Sequence, residues 1–337
     1  MATGYPATMG GCRIGFVGAG GVADRHARTL AGFQDVSLVA VTDTDGSRAG
    51  EFAARHGMTA VGDVRGVLAC GVDAVYVCVP PFAHGAVEEE LVAARVPMFV
   101  EKPVGVDLAT PERIAASVAE AGLLTAVGHH WRYSTAVERA RQALRDRPAR
   151  LAIGAWLDKV PPVGWWTRRA SSGGQVVEQA IHVLDLARLL LGEVREVHAM
   201  ADGVPPAVAD ADVDGATVVA LRFASGAVGT LAATCLLGWK HRAGLEVYAD
   251  GLAISVAEAL VEFRDRDGND VRQVDPDAAK TAADRAFVHA VLGRDDGAGI
   301  RTSYADALRT HRLACAIAWS AVRGEPVPVE EVVDAGR

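Results

Sequence analysis

The stretch Arg13-Ile14-Gly15-Phe16-Val17-Gly18-Ala19-Gly20-Gly21-Val22-Ala23 decides how this chain folds. Its first five residues form a short apolar run, which reads as a buried strand. Glycines follow at once in the pattern Gly-x-Gly-x-x-Ala, and the chain then reads as helix from Val22 to Phe33. A strand that passes through such a loop into a helix is built to hold a dinucleotide. Gly18 permits the tight turn, Gly20 lets the backbone approach a pyrophosphate, and small Ala23 allows close helix–strand packing. Gly21 and Val22 open the helix, whose unpaired N–H groups and positive dipole favour phosphate.

Asp43 ends a second strand, Ser37 to Thr42, at about the spacing where an acid meets the adenosine ribose hydroxyls. A carboxylate there repels a 2′-phosphate, so the expected cofactor is NAD, with NADP as the alternative. The next basic residue, Arg48, lies inside the following helix, Ser47 to His56.

Strand and helix keep alternating downstream. Ala74 to Val79 is a β-branched run stopped by Pro80-Pro81; Ala83 to Arg95 reads as helix and Met98 to Val100 as strand. Thr110 reads as the cap of a helix with Pro111 in its first position, and Leu124 to Val127 as the next strand. This order predicts a parallel sheet covered on both faces. The remainder is strand-rich: Ala149 to Leu157, Val194 to Met200, Ala216 to Phe223, Ala227 to Thr234, Leu245 to Tyr248 and Leu252 to Val256. One strong helix, Glu178 to Leu191, interrupts them, and two helices close the chain, Ala278 to Leu292 and about Tyr304 to Arg323. The fold class is therefore α/β: a Rossmann domain followed by an α+β domain with a large, mainly antiparallel open sheet. The expected boundaries are a flexible leader at 1–11, a dinucleotide-binding domain at 12–130 and a substrate-binding and oligomerisation domain at 131–337.

The 337 residues are too many for one ordinary core and suit two. A net charge of -8 argues against nucleic acid as a partner, which needs a concentrated basic face. Five irregularly spaced cysteines without a Cys-x-x-Cys pair argue against a disulfide framework or a zinc site. No secretory signal or membrane-length apolar run is visible, so the expected location is cytoplasmic.

Three further segments carry chemistry. Glu101-Lys102-Pro103 follows a strand at the carboxyl edge of the parallel sheet, where ligands bind in such folds. On a continuous helix Glu178, His182 and Asp185 share one face, so the histidine can be held in one tautomer and tuned as acid or base. The plainer alternative is a polar helix face with a hydrogen-bonded histidine. His129-His130-Trp131-Arg132-Tyr133 lies at the exit of the first domain; no matching third ligand accompanies the two histidines, so no metal is expected. Trp165 and Trp166 offer aromatic faces for the C–H side of a sugar ring, or pack in a core. Arg168 and Arg169 suit an anionic substrate group or the surface.

The segments GFVGAGGVADRHA, VCVPPFAHG, VEKPVG and GGQVVEQAIHVLDLARLLLGE, in this order, resemble the Gfo/Idh/MocA oxidoreductases, the family of glucose–fructose oxidoreductase and inositol dehydrogenase. The resemblance runs from about Arg13 to the C-terminus. It implies hydride transfer between a nicotinamide and a sugar, cyclitol or derivative. It implies that Lys102 and His182 are catalytic, with Glu178 orienting His182 or touching substrate; the family often has the shorter Asp at that place. By resemblance, Val79, Pro80, His84 and Glu101 lie beside the cofactor together with Lys102. Trp131, Arg132, Gln179, Asp185, Trp239, Lys240 and His241 fall in segments that line the substrate site. A homodimer or homotetramer formed through the C-terminal sheet is also implied. Within the same likeness, a glycosidase that returns its hydride to the substrate and a non-enzymatic NAD sensor are the alternatives.

Overall fold

The computed structural model describes residues 11–294 and 299–332. All but Gly11 of the expected leader lies outside them. The chain divides into two compact units. The first comprises the chain up to Val104, Thr110–Gly128 and Lys280–Asp306; the second comprises Gly105–Ala109, His129–Ala279 and the chain from Ala307.

The first unit alternates strand and helix, with β3 and α3 in addition to the expected elements: β1 (Cys12–Val17), α1 (Gly21–Ala31), β2 (Val36–Thr42), α2 (Gly46–His56), β3 (Thr59–Ala60), α3 (Val64–Ala69), β4 (Ala74–Val77), α4 (Ala86–Ala93), β5 (Met98–Val100), α5 (Ala109–Ala121) and β6 (Thr125–Val127). All strand pairs are parallel, in the order β3-β2-β1-β4-β5-β6. The order reverses beside β1, which pairs with both β2 and β4. The crevice at such a reversal is where these sheets take ligands, and the Gly18 loop lies there. Local chemistry sets the helix ends. The Asp45 carboxylate accepts the Ser47 and Arg48 N–H groups to start α2, and Asp63 does the same for Gly66 in α3. The helix expected over 83–95 is shorter: Pro81–Ala83 forms a 3₁₀ turn, and α4 starts only after Gly85 at φ +121°.

The second unit contains α6 (Thr135–Ala143), β7 (Leu151–Leu157), α7 (Arg169–Ser172), α8 (Gln175–Glu178), α9 (Ile181–Leu191), β8 (Val194–Ala201), β9 (Ala216–Phe223), β10 (Val228–Thr234), β11 (Arg242–Ala249), β12 (Leu252–Ala257), β13 (Leu260–Arg264), β14 (Asn269–Gln273), α10 (Pro276–Val291, in this unit to Ala279), α11 (Tyr304–Arg323, in this unit from Ala307) and β15 (Val327–Pro328). Nine strands form one sheet, β14-β13-β12-β11-β7-β10-β9-β8-β15. Every pair is antiparallel except β7 with β10. Strand residues alternate between buried and exposed, as in β9, so one face is covered and the other open. Helix α9 lies on the covered face. A Cβ on Gly154 of β7 would stand 2.8 Å from Val183 Cγ1, so only glycine allows this approach. Val183, Leu184 and Leu186 are each 1 % exposed, and burying such side chains contributes roughly 2 kcal/mol apiece.

Two expectations are corrected. Residues 280–306, read as part of the second domain, belong to the first unit, because Phe287 packs edge-on against Tyr76 and Phe99 with centroids 5.6 and 5.7 Å apart. The helix expected from Glu178 to Leu191 is broken. Its N-terminal part is α8, and Ala180 N–H donates to Gln175 O, five residues back, before α9 begins. The continuous helix on which Glu178 and His182 were expected to share a face is therefore interrupted between them. No helix among the described residues is long and apolar enough to cross a membrane.

Candidate active site

On the first unit, the loop after β1 has the shape a dinucleotide requires. Gly18 has φ +93°, and a Cβ there would lie 2.3 Å from Cys78 O. Gly20 caps α1, while Gly20 and Gly21 have nothing within 4 Å on their open sides. Val22 is exposed at the helix start and Ala23 is fully buried beneath it. Asp43 holds the loop: Oδ2 accepts Ala19 N–H at 2.8 Å, and Oδ1 accepts Asp45 N–H at 2.9 Å and Arg48 Nη2 at 2.7 Å. Burial pushes this carboxyl up, but Arg48 and the two backbone donors outweigh burial and leave it below its ordinary range. Val79 and Pro80 follow β4 and enter the 3₁₀ turn that leads to His84. The His84 ring lies 2.5 Å through Nδ1 from Glu88 Oε1, and its Nε2 is buried without a partner among the described residues. Glu88 also caps Gly85 N–H at 2.7 Å. An open glycine loop, an oriented acid and a buried polar atom with no partner among the described residues fit NAD.

Glu101 and Lys102 follow β5. Glu101 Oε1 lies 2.9 Å from His26 Nε2 and 3.1 Å from Arg25 Nη2, and Oε2 accepts Lys102 N–H at 3.1 Å. Burial pushes Glu101 up, but His26, Arg25 and Lys102 overcome it and bring its pKa to about 2. His26 and its second partner Asp284 are absent from the sequence reading. The signal existed: His26 lies on the buried stripe Ala23, His26, Ala27, Leu30 of α1, an apolar face where a histidine needs a partner.

On the second unit, aromatic rings surround His182. Trp156 lies 5.8 Å away at 23°, Trp131 5.9 Å, His130 5.1 Å and His129 6.0 Å. Trp131 and Trp156 stack at 6.4 Å, and Lys240 Nζ stands 4.9 Å over the Trp156 ring while pairing with Glu258 at 2.6 Å. Trp156 is the penultimate residue of β7, and the sequence marks it only as a strand residue.

The other expected residues are placed as follows. Glu178 Oε2 accepts Trp166 Nε1–H at 2.7 Å, and Trp166 is fully buried in a small core with Val213 and Cys235. Trp165 is half-buried beside that core. Gln179 is buried and accepts from Gln175 Nε2 at 3.1 Å. Arg132 grips Asp185 with two bonds of 2.8 and 2.7 Å; Thr310 Oγ1 adds a third at 2.8 Å, and His129 Nδ1 lies 3.9 Å away. Burial raises Asp185, but His129, Arg132 and Thr310 outweigh it, so it stays ionised below its ordinary range. This mutual pairing explains why Arg132 and Asp185 are buried without invoking a ligand. Arg168 and Arg169 meet Asp210 at 3.4 Å and Asp214 at 2.7 Å. Trp239 is 59 % exposed and His241 is also exposed.

A switch-point sheet with this loop and acid defines a dinucleotide-binding domain. Residues 12–129 match the oxidoreductase family model described as an NAD-binding Rossmann fold, and residues 145–254 match the GFO/IDH/MocA C-terminal domain. The chain is 31 % identical over 273 residues to myo-inositol 2-dehydrogenase of Thermotoga maritima, covering 76 % of this chain and 79 % of that one. It therefore belongs to the GFO/IDH/MocA oxidoreductase family. A solved structure of a putative myo-inositol dehydrogenase from Sinorhizobium meliloti superimposes with TM-score 0.80 at 25 % identity, covering 94 % of this chain and 99 % of that one. Levoglucosan dehydrogenase, solved with NADH and levoglucosan, shares the fold with TM-score 0.85 at 20 % identity, over 96 % of this chain and all of that one.

Proposed function

We propose that this protein is an NAD-dependent dehydrogenase acting on a secondary hydroxyl, or the matching ketone, of a sugar, cyclitol or sugar derivative. The observation that carries this reading is the Gly18–Ala23 loop locked to Asp43 in the same unit that presents Glu101-Lys102 at the carboxyl end of β5. Inositol and sugar dehydrogenases among the relatives support the substrate class.

Bound NAD supplies the hydride acceptor. In our reading His182 is the base that takes the hydroxyl proton, and the Lys102 ammonium is the group that steadies developing negative charge. Trp131 and Trp156 frame His182 with apolar faces that suit the C–H side of a ring, and Gln179 and Lys240 supply polar contacts. Glu178 acts through its bond to Trp166, setting the wall that precedes α8. We further propose a homodimer or homotetramer joined through the open sheet face, where Leu151, Ile153, Val218, Val228 and Met200 are exposed. Val218→Lys should shift the mass in light scattering to monomer if that face is the contact. The five free cysteines suit a reducing, cytoplasmic setting.

The test is a screen at 340 nm with NAD and NADP separately against cyclitols, aldoses, sugar acids and amino sugars. NADH formation with one compound supports the reading. Tight NAD binding without turnover of any compound counts against it.

A further inference from the structure

His26 lies in a charged cluster wholly inside the first unit. It is 1 % exposed, Asp284 is 0 % and Glu101 is 8 %. His26 Nδ1 is 2.6 Å from Asp284 Oδ1, and Nε2 is 2.9 Å from Glu101 Oε1. Carboxylates only accept, so an imidazole between two of them satisfies both when it donates from both nitrogens. Arg25 reaches in from α1, 3.0 Å from Nε2 and 3.1 Å from Glu101 Oε1. Tyr76 and Phe99 face the ring from β4 and β5 at 5.0 Å, and Cys78 follows β4 nearby. Burial lowers the tendency of His26 to hold its second proton; Asp284 and Glu101 more than restore it, so its pKa is raised.

The Glu101 carboxylate has little freedom. A Cβ on Gly128 would stand 2.6 Å from Oε1 and 2.7 Å from Oε2, so the carboxylate fills the space of a missing side chain. Its Oε2 accepts the Lys102 backbone N–H.

We propose that His26, donating to Asp284 and Glu101 together, is a positioning residue for Lys102. It fixes the carboxylate that holds the Lys102 backbone and so sets where the lysine side chain begins. This rests on the reading of Lys102 as the group that stabilises the reacting oxygen. Two variants disturb the relay from opposite sides. His26→Gln removes one donor and the charge, while Gly128→Ala displaces the Glu101 carboxylate without touching His26 or Lys102.

The first readout needs neither cofactor nor substrate. Trace acetylation of the apo protein, read by mass spectrometry, reports the reactivity of the Lys102 amine against Lys159 as internal reference. Each variant should change the Lys102-to-Lys159 ratio by about 3-fold or more. An unchanged ratio in both overturns the proposal, and a variant that does not fold leaves the other to decide. The second readout is a double-mutant cycle with Lys102→Ala, using NAD and myo-inositol or whichever panel compound yields NADH. Each relay variant should lower kcat about 10-fold or more when Lys102 is present and less than about 2-fold when it is not, with the KM for NAD within about 3-fold of wild type. An equal loss in both backgrounds overturns the proposal in favour of a purely structural cluster. If Lys102→Ala alone turns over at the wild-type rate, the catalytic reading itself fails, and that is seen before His26 is altered.

Discussion

Gly18→Ala puts a methyl where the protein has backbone. Its Cβ would lie 2.3 Å from Cys78 O and 2.8 Å from the Cys78 carbonyl carbon, and neither atom is the movable end of a side chain. Relief requires the start of the loop to part from the chain after β4 by about 1 Å, since ordinary contacts begin near 3.4 Å. That strains the bond from Cys78 N–H to Val17 O, 2.8 Å long, which extends the β1–β4 ladder. At φ +93° an alanine also loses about 1–2 kcal/mol to its own backbone. With overpacking of about 1–3 kcal/mol and a weakened buried bond, the total is about 4 kcal/mol, or a fall in Tm of about 10 °C. Gly20→Ala is the control. It has φ −81° and nothing within 4 Å of its Cβ, so stability should stay within about 0.5 kcal/mol. Its methyl stands on the open side of the loop, so NAD affinity should fall about 10-fold or more. Thermal melts by circular dichroism and calorimetric titration with NAD separate the two. A Gly18→Ala protein melting within about 2 °C of wild type, or a Gly20→Ala protein that binds NAD normally, refutes the account of the loop.

Other variants probe the charged groups. Asp185→Ala removes the carboxylate that takes two bonds from Arg132 and one from Thr310, and should cost about 3–5 kcal/mol in urea unfolding, with Asp185→Asn milder. Glu101, with its pKa lowered to about 2, contributes stability that is fully present above the unfolded value near 4.3 and is lost as pH falls toward 2. That contribution is about 3 kcal/mol, so urea midpoints measured from pH 5 to 3 should fall more steeply in the wild type than in Glu101→Gln. Asp43→Asn keeps an acceptor for Ala19 N–H but removes the charge that holds Arg48, so the NADP-to-NAD affinity ratio should rise about 10-fold, read by fluorescence titration.

The dinucleotide half was legible because its signals are local. A β-branched run, a glycine at a forced turn, a small residue under the helix and an acid at the next strand end all lie within one βαβ unit. The helix break before Ile181 was not legible. No proline or glycine marks it, and the wide turn at Ala180 has no local residue signal. Strand β14 carries no readable signal because it is an edge strand: Asn269–Gln273 is almost wholly exposed and lacks an alternating apolar pattern. The assignment of residues 280–306 to the first unit rests on Phe287, Asp284 and Arg285 meeting partners some 200 residues earlier or more, which no local window reveals. The pairing of Arg132 with Asp185, 53 residues apart, is of the same kind.

The most direct test of the central claim is single-turnover hydride transfer, followed at 340 nm with NAD saturating, in the wild type and in His182→Ala. The account predicts a chemical step slowed about 100-fold or more with NAD affinity unchanged. A His182→Ala enzyme that forms NADH at close to the wild-type rate contradicts it.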